Sequence, residues 1–358
     1  MKVLFLTVRA DLGGGPEHLY QLLKHKPGKV EAFVACPADK PYHDRYHGLV
    51  GQKNIVELPH RSFSLRSLFK VAAFVRRMNI DVLHSHGKGA GLYGRLLGLL
   101  TGRPVVHTFH GLHVGDYSAR KKWLYLSLER ALGWKTRKAI CVSQGEALLV
   151  EKAGFIASEK LVTIPNGIEI PISVSRPSWD GGTLRIIAVN RYDHQKNPEL
   201  LIDIANALDG KIDFRLDVIG TGDRIGDIRT RVEHNGLSER VRIIGGVPNP
   251  RDYFRDAHVF LSTSRWEGMP LAVLEAMSES LCVLATEVVG NIDVIEPGRT
   301  GYLFKTQDEA IRILSTLTPN ALARISDLAR QTAETQYSAS VMAERTHGTL
   351  NSIARAPT

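Results

Sequence analysis

Val259-Phe-Leu-Ser-Thr-Ser-Arg-Trp-Glu-Gly-Met-Pro-Leu-Ala-Val-Leu-Glu-Ala-Met-Ser-Glu-Ser-Leu-Cys-Val-Leu-Ala285 reads as strand, loop, helix and strand in succession. Val259–Ser262 and Cys282–Ala285 are short apolar runs of the kind a buried parallel sheet requires. Between them Gly268 and Pro270 mark a tight turn, and proline suits the first helical position because its missing N–H has no intrahelical partner to lose. The free amides of Met269 and Leu271 then point toward the strand ends, where a helix N-terminus is a ready site for a diphosphate. Glu267 falls on the loop and Glu275 about two turns further on, so the two carboxylates can hold different hydroxyls of one ligand.

The same alternation runs in both directions from this unit. Toward the N-terminus, strands are expected at Val3–Val8, Val30–Cys36, Ile55–Leu58, Asp81–His84, Val105–Phe109, Ala139–Val142 and Val162–Ile164. After Pro171, where proline, serine and glycine interrupt any periodicity as far as Gly182, strands restart at Arg185–Val189, Phe214–Ile219, Val241–Ile244 and, beyond Ala285, Tyr302–Phe304. The expectation is an α/β protein with two Rossmann-like parallel-sheet domains. Residues 1–170 form the first and 171–183 a hinge; 184–335 form the second, and 336–358 a closing helix that packs back on the first. In such sheets ligands bind beyond the carboxyl ends of the strands.

A chain of 358 residues accommodates two cores, and 43% hydrophobic with 23% charged residues is an ordinary globular composition. The first ten residues hold too short an apolar run for a signal peptide, and no stretch reaches the ~18 apolar residues of a spanning helix, so a cytoplasmic protein is expected. Cys36, Cys141 and Cys282 lie far apart in apolar runs and are expected to be buried free thiols. The net charge of +9 is uneven: residues 1–175 carry 25 basic against 13 acidic side chains, and 176–358 carry 21 against 24. A basic first half points to an anionic partner such as a phosphorylated substrate or a membrane surface. Nucleic acid is not expected, since no recognisable binding module accompanies the charge.

Two further loops follow strands. Arg191-Tyr-Asp-His-Gln-Lys-Asn197 sets two positive charges, Arg191 and Lys196, at a strand end, where they can grip a pyrophosphate and offset its charge as it departs. Asp11-Leu-Gly-Gly-Gly-Pro16 follows the first strand, and its glycines, Gly14 and Gly15 among them, let amides approach a phosphate closely. Gly220-Thr-Gly-Asp-Arg-Ile-Gly226 imitates a dinucleotide fingerprint, but its last spacing is one residue too long. It reads instead as a donor-side turn at Gly220.

Glu267 through Glu275, with Arg191, Lys196 and Gly13–Gly15, resemble the retaining glycosyltransferases of family four, which have the GT-B fold. The resemblance spans nearly the whole chain and includes Thr108-Phe-His-Gly111, Ile164-Pro-Asn-Gly-Ile168, with its Asn166, Val218-Ile-Gly-Thr-Gly222 and Gly290-Asn-Ile-Asp-Val-Ile295. It implies transfer of a hexose-type sugar, without a metal or other cofactor, from a nucleotide-diphosphate sugar, expected to be a UDP-sugar. The acceptor it implies is a saccharide or a lipid-linked saccharide. By resemblance Glu275 binds the donor ribose, Glu267 the sugar hydroxyls, Arg191 and Lys196 the diphosphate, and His110 the sugar from the opposite side of a cleft. Gly14, Gly15, Asn166, Gly220, Gly268, Met269, Pro270 and Leu271 complete the donor site. Asp293 stands where the family more often has Glu. The alternative is a catalytically inert nucleotide-sugar binder or scaffold of the same fold.

Two readings stay open beside these. His84-Ser-His86 and His107-Thr-Phe-His110-Gly-Leu-His113 have spacings compatible with zinc, but no Asp, Glu or Cys accompanies them, and no metal site is expected. The basic stretches 63–78 and 117–138, the second interleaved with Trp123, Tyr125 and Trp134, are either solvated helix faces over a normal core or a transient peripheral contact with anionic lipid.

Overall fold

The computed structural model describes residues 1–111, 118–174 and 178–354. These form two compact units: Met1–Ile168 with Ala339–Thr358, and Glu169–Ser338. His113 and Tyr117, residues 175–177 of the expected hinge, and the last four residues of the chain lie outside the described residues, as does the Lys121 side chain.

Unit 1 contains β1 (Lys2–Leu6), α1 (Gly14–Lys24), β2 (Glu31–Cys36), α2 (Tyr42–Val50), β3 (Ile55–Glu57), α3 (Leu65–Met78), β4 (Val82–His86), α4 (Gly87–Thr101), β5 (Val105–Thr108), α5 (Ala119–Gly133), β6 (Thr136–Cys141), α6 (Gln144–Ala153) and β7 (Leu161–Thr163). Its strands are wholly parallel in the order β3-β2-β1-β4-β5-β6-β7. Right-handed crossovers place α1 and α2 on one face and α3 to α6 on the other. The packing agrees. Val3 and Phe5 are buried with Leu19, Leu22 and Tyr46, while Leu4 and Leu6 on the opposite face are buried with Leu68, Val71, Tyr93 and Leu97.

Unit 2 contains β8 (Leu184–Val189), α7 (Pro198–Leu208), β9 (Phe214–Ile219), α8 (Ile225–His234), β10 (Val241–Gly245), β11 (Val259–Ser262), α9 (Leu271–Ser278), β12 (Cys282–Thr286), β13 (Tyr302–Phe304), α10 (Gln307–Thr316) and α11 (Pro319–Gln336). Its parallel order is β10-β9-β8-β11-β12-β13. The closing helix α12 (Ala339–Ala354) belongs to unit 1, where Met342, Ala343, Leu350 and Ile353 join the Val3–Phe5 face.

The strands stand within two residues of their expected limits, apart from Thr136–Cys141, which begins three residues early. Thr136 and Lys138 make it start there by pairing with β5 although the segment is not apolar. Pro270 occupies the N-cap of α9 rather than its first helical position, with φ −80° and ψ 105°. All three cysteines are buried and none forms a disulfide, and burial pushes the Cys36 thiol up to about 12.

Each sheet reverses its direction of growth once, between β1 and β4 in unit 1 and between β8 and β11 in unit 2. Loops leaving the two central strands splay to opposite faces there and open a crevice. The crevice edges are the glycine loop and His86 in unit 1, and Arg191–Lys196 and Thr263–Glu267 in unit 2.

One buried charge pair ties α4 to α5: Arg95 Nη2 lies 3.0 Å from Glu129 Oε2, with side chains 0% and 5% exposed. Burial raises the Glu129 carboxyl above its ordinary range, and the Arg95 guanidinium offsets this in part. Arg95 Nε also donates to Thr136 Oγ1, at the non-apolar start of β6. Glu129→Ala is expected to cost about 3–5 kcal/mol by stranding the guanidinium, whereas the pair Arg95→Met, Glu129→Leu should recover most of that loss. Urea unfolding followed by circular dichroism distinguishes the two; equal loss in both would show that the charge is not what matters at this position.

Candidate active site

In unit 2 the loop after β8 and the loop after β11 are held together by a dense set of bonds. Lys196 Nζ lies 2.5 Å from Glu267 Oε1, with side chains 20% and 7% exposed. Gln195 connects three groups: its Oε1 accepts from Arg191 Nη2 at 2.9 Å, its Nε2 donates to Trp266 O at 3.1 Å, and its carbonyl accepts the Arg265 amide at 2.8 Å. Arg265 donates back to His194 O and Asn197 Oδ1, and Thr263 Oγ1 lies 3.0 Å from the carbonyls of both Lys196 and Asn197. Residues about seventy apart in sequence thus act as one rigid platform. Arg191, paired with Asp193 at 3.0 Å and 45% exposed, is the more accessible cation.

Helix α9 starts four residues after Glu267. The first intrahelical bond of α9 runs from Val273 N–H to Pro270 O at 3.1 Å, so the Leu271 and Ala272 amides precede the ladder. Glu275 stands one turn into α9, partly buried, while Glu267 is 6% exposed. Gly268 and Met269 form the turn between them.

Two glycines explain how the turns fit. At Gly290, φ is +89° and a Cβ would stand 2.8 Å from Gly268 O and 3.0 Å from the Glu267 Cβ, so this residue lies directly against the glutamate turn. Its amide donates to Asp293 Oδ2, which gives the aspartate a loop-closing contact. At Gly220, φ is +151° and a Cβ would stand 1.5 Å from Asn190 O. The Gly220 amide already donates to Gly245 O at 2.8 Å. The structure therefore gives Gly220 a packing role beneath the Asn190–Tyr192 loop, and its N–H is not open to a donor.

In unit 1, Gly14 and Gly15 are the first two residues of α1, and their amides precede the first intrahelical bond, from Glu17 N–H to Gly13 O. His110 follows β5 and stands against His86, Nδ1 to Nε2 3.3 Å, and edge-on to His18 with ring centroids 4.7 Å apart. Burial lowers the pKa of His110 and His86 well below the usual histidine range and that of His18 to about 4. These imidazoles are neutral at physiological pH. Asn166 belongs to unit 1: it is 5% exposed, and its Oδ1 accepts from His18 Nδ1 at 2.8 Å.

Glu146 went unnoticed in the sequence reading. It is 1% exposed and accepts the amides of Gly111 at 2.5 Å and Val142 at 2.9 Å, fixing the loop that carries His110. Its signal was legible: Ser143-Gln-Gly-Glu146 is a capping box, with Ser143 Oγ accepting the Glu146 amide.

Gly220→Ala is expected to lower stability by more than ~2 kcal/mol, because backbone rather than a flexible side chain must yield. Gly226→Ala, six residues on in α8, meets no atom within 4 Å and should leave stability unchanged or raised by up to about 1 kcal/mol. Denaturant midpoints of the two variants provide the comparison.

Two family models match the chain in tandem, Glycosyltransferase Family 4 over residues 12–170 and Glycosyl transferases group 1 over 172–320. Among curated proteins it is similar to the Escherichia coli UDP-Gal:alpha-D-GlcNAc-diphosphoundecaprenol alpha-1,3-galactosyltransferase, 26% identical over 74% of this chain and 70% of that one. It is also similar to the Escherichia coli O-antigen biosynthesis glycosyltransferase WbnH, 28% identical over 85% and 86%. Among solved structures, Anabaena Alr3699/HepE in complex with UDP and glucose superposes with a TM-score of 0.85 at 19% identity, covering 98% of this chain and all of that one, which shows a common GT-B fold. The chain therefore belongs to glycosyltransferase family 4, and it transfers a sugar from a nucleotide sugar to an acceptor.

Proposed function

We propose that this chain is a retaining, metal-independent hexosyltransferase that takes its sugar from a UDP-sugar and passes it to a saccharide or lipid-linked saccharide in surface polysaccharide assembly. The observation that carries this reading is the platform at the end of β8: Arg191 and Lys196 are held by Gln195 and Glu267 next to the open amides of α9. Two fixed positive charges and two backbone donors match a diphosphate and stabilise it most as it leaves. Glu275 binds the ribose and Glu267 the sugar hydroxyls; the family resemblance gives His110 and the amides of Gly14 and Gly15 roles toward the donor as well. The choice of UDP is supported by the UDP bound in the Alr3699/HepE structure, and the lipid-linked acceptor by the undecaprenol-linked substrate in the galactosyltransferase relative's name.

In the proposed reaction the acceptor oxygen attacks the anomeric carbon on the face the diphosphate leaves. The bond from that carbon to the diphosphate oxygen breaks, and the acceptor proton passes to the departing phosphate. No protein base is required, so the protein contributes positioning and charge. Neutral His110 suits a hydrogen bond to a sugar hydroxyl and not a contact with an anion.

Arg191→Ala and Lys196→Ala are each expected to lower turnover of the preferred UDP-hexose by ~10²-fold or more, with the product retaining the donor's anomeric configuration by NMR. Full turnover in the double variant would remove the clamp, and an inverted product would remove the mechanism.

A peripheral position at the inner face of a membrane belongs to the same proposal. No helix among the described residues is long and apolar enough to cross a membrane. The helical layer α3 to α6, however, leaves Leu65, Phe69, Trp123, Leu124 and Leu148 exposed, beside the exposed cations Arg66, Lys70, Arg77, Arg120 and Lys122. Of the three carboxylates on these helices Glu129 and Glu146 are buried, which leaves Glu151 as the exposed one. Apolar side chains among cations suit an anionic lipid surface, at about 1 kcal/mol per basic residue near it. Arg66→Glu with Lys70→Glu is expected to reduce sedimentation with phosphatidylglycerol vesicles at least tenfold at low salt. Binding that ignores both the substitutions and the lipid charge would exclude this surface.

A further inference from the structure

The fold brings together three imidazoles that come from separate parts of the sequence. His18 lies on α1, His86 closes β4 and His110 follows β5, and one nitrogen from each lies within 4.8 Å of the other two. We propose that His18, His86 and His110 form a binding site for a divalent cation of the zinc type, with a fourth position left for water or a ligand oxygen.

Three observations carry the proposal. The first is spacing. His86 Nδ1 and His110 Nε2 are 3.3 Å apart, and two nitrogens at that distance both reach an ion at the ~2.05 Å typical of Zn–N, subtending about 107°, close to tetrahedral. The remaining separations are at most 4.8 Å, so His18 Nε2 must draw nearer to the other two nitrogens when an ion binds.

The second is the tautomer. Asn166 Oδ1 can only accept, so His18 Nδ1 carries the proton and Nε2 carries the lone pair. A polar group bound to the far nitrogen of a metal-binding histidine is the usual way its orientation is set. The third is unmet bonding capacity. His18 is 2% exposed, and its Nε2 atom is buried without a hydrogen-bond partner. Such atoms in a native interior call for an explanation. His110, the partly exposed member, leaves a way in.

All three histidines belong to unit 1, and no step of the transfer chemistry proposed above runs through an ion there. Its effect on catalysis rests on the reading of His110 as a sugar contact: an ion held by the Nε2 of His110 removes that contact, so zinc inhibits.

The test titrates the full chain with Co2+ and follows visible absorption, with equilibrium dialysis against Zn2+ for stoichiometry. One ion per chain and an intense tetrahedral Co2+ spectrum are expected. His18→Ala should abolish the spectrum. Asn166→Ala, which removes only the orienting bond, should weaken Zn2+ binding by ~10–100-fold while the protein remains folded. His234→Ala, exposed on α8, should change nothing. Absence of one-to-one binding, or binding indifferent to both His18→Ala and Asn166→Ala, overturns the site. Inhibition by Zn2+ is read separately, each variant against its own metal-free rate. One-to-one binding with full transfer activity keeps the metal site and overturns the sugar role of His110.

Discussion

The contact between Lys196 and Glu267 organises the strand-end loops of unit 2. An ammonium and a carboxylate that are 20% and 7% exposed cannot be solvated separately, so each holds the other in place. Because the lysine follows β8 and the glutamate follows β11, their pairing fixes the distance across the point where the sheet reverses direction. Gln195, Arg265 and Thr263 repeat the connection through backbone carbonyls, which have no counterions to exchange and are insensitive to salt. What results is charge held in advance of the ligand, the condition under which electrostatic stabilisation costs no reorganisation at the moment of reaction.

Unit 1 is built on the opposite principle. Its crevice edge is lined by imidazoles that burial keeps uncharged, together with the first amides of α1. A set of cations that includes Arg66, Lys70, Arg77, Arg120 and Lys122 lies on the exposed side of α3 to α6. Within one unit, charge is therefore displaced to the outer surface while the interior edge offers neutral hydrogen-bonding groups. Arg95 is the exception, and it is retained inside only because Glu129 stands 3.0 Å away.

Much of the site was legible from local pattern. Glu267, Gly268, Met269, Pro270, Leu271 and Glu275 are contiguous, and a glycine–proline turn ahead of a helix dictates where the amides go. Arg191 and Lys196 could be placed at a strand end for the same reason. Asn166 and Gly220 were less well read, because what each does is decided by a neighbour distant in sequence: His18 in one case, the carbonyl of Asn190 in the other. A short motif records that a residue is constrained without recording by what. Glu146 shows the reverse failure, since its capping box was visible and yet gave no hint that the same carboxylate would also hold the amide of Gly111.

The sequence alone determined the alternation of strands and helices, and with it two parallel sheets, because periodicity and turn residues are local and parallel strands must be buried on both faces. Tertiary structure alone decided which side chains meet: that Lys196 finds Glu267, that Gly290 backs the glutamate turn, and that a histidine from the first helix completes a group whose other two members lie near positions 86 and 110. The physical reason is that strand order, not chain order, sets neighbours in a sheet. Only when β4 and β11 insert beside β1 and β8 do residues about seventy positions apart come within bonding distance.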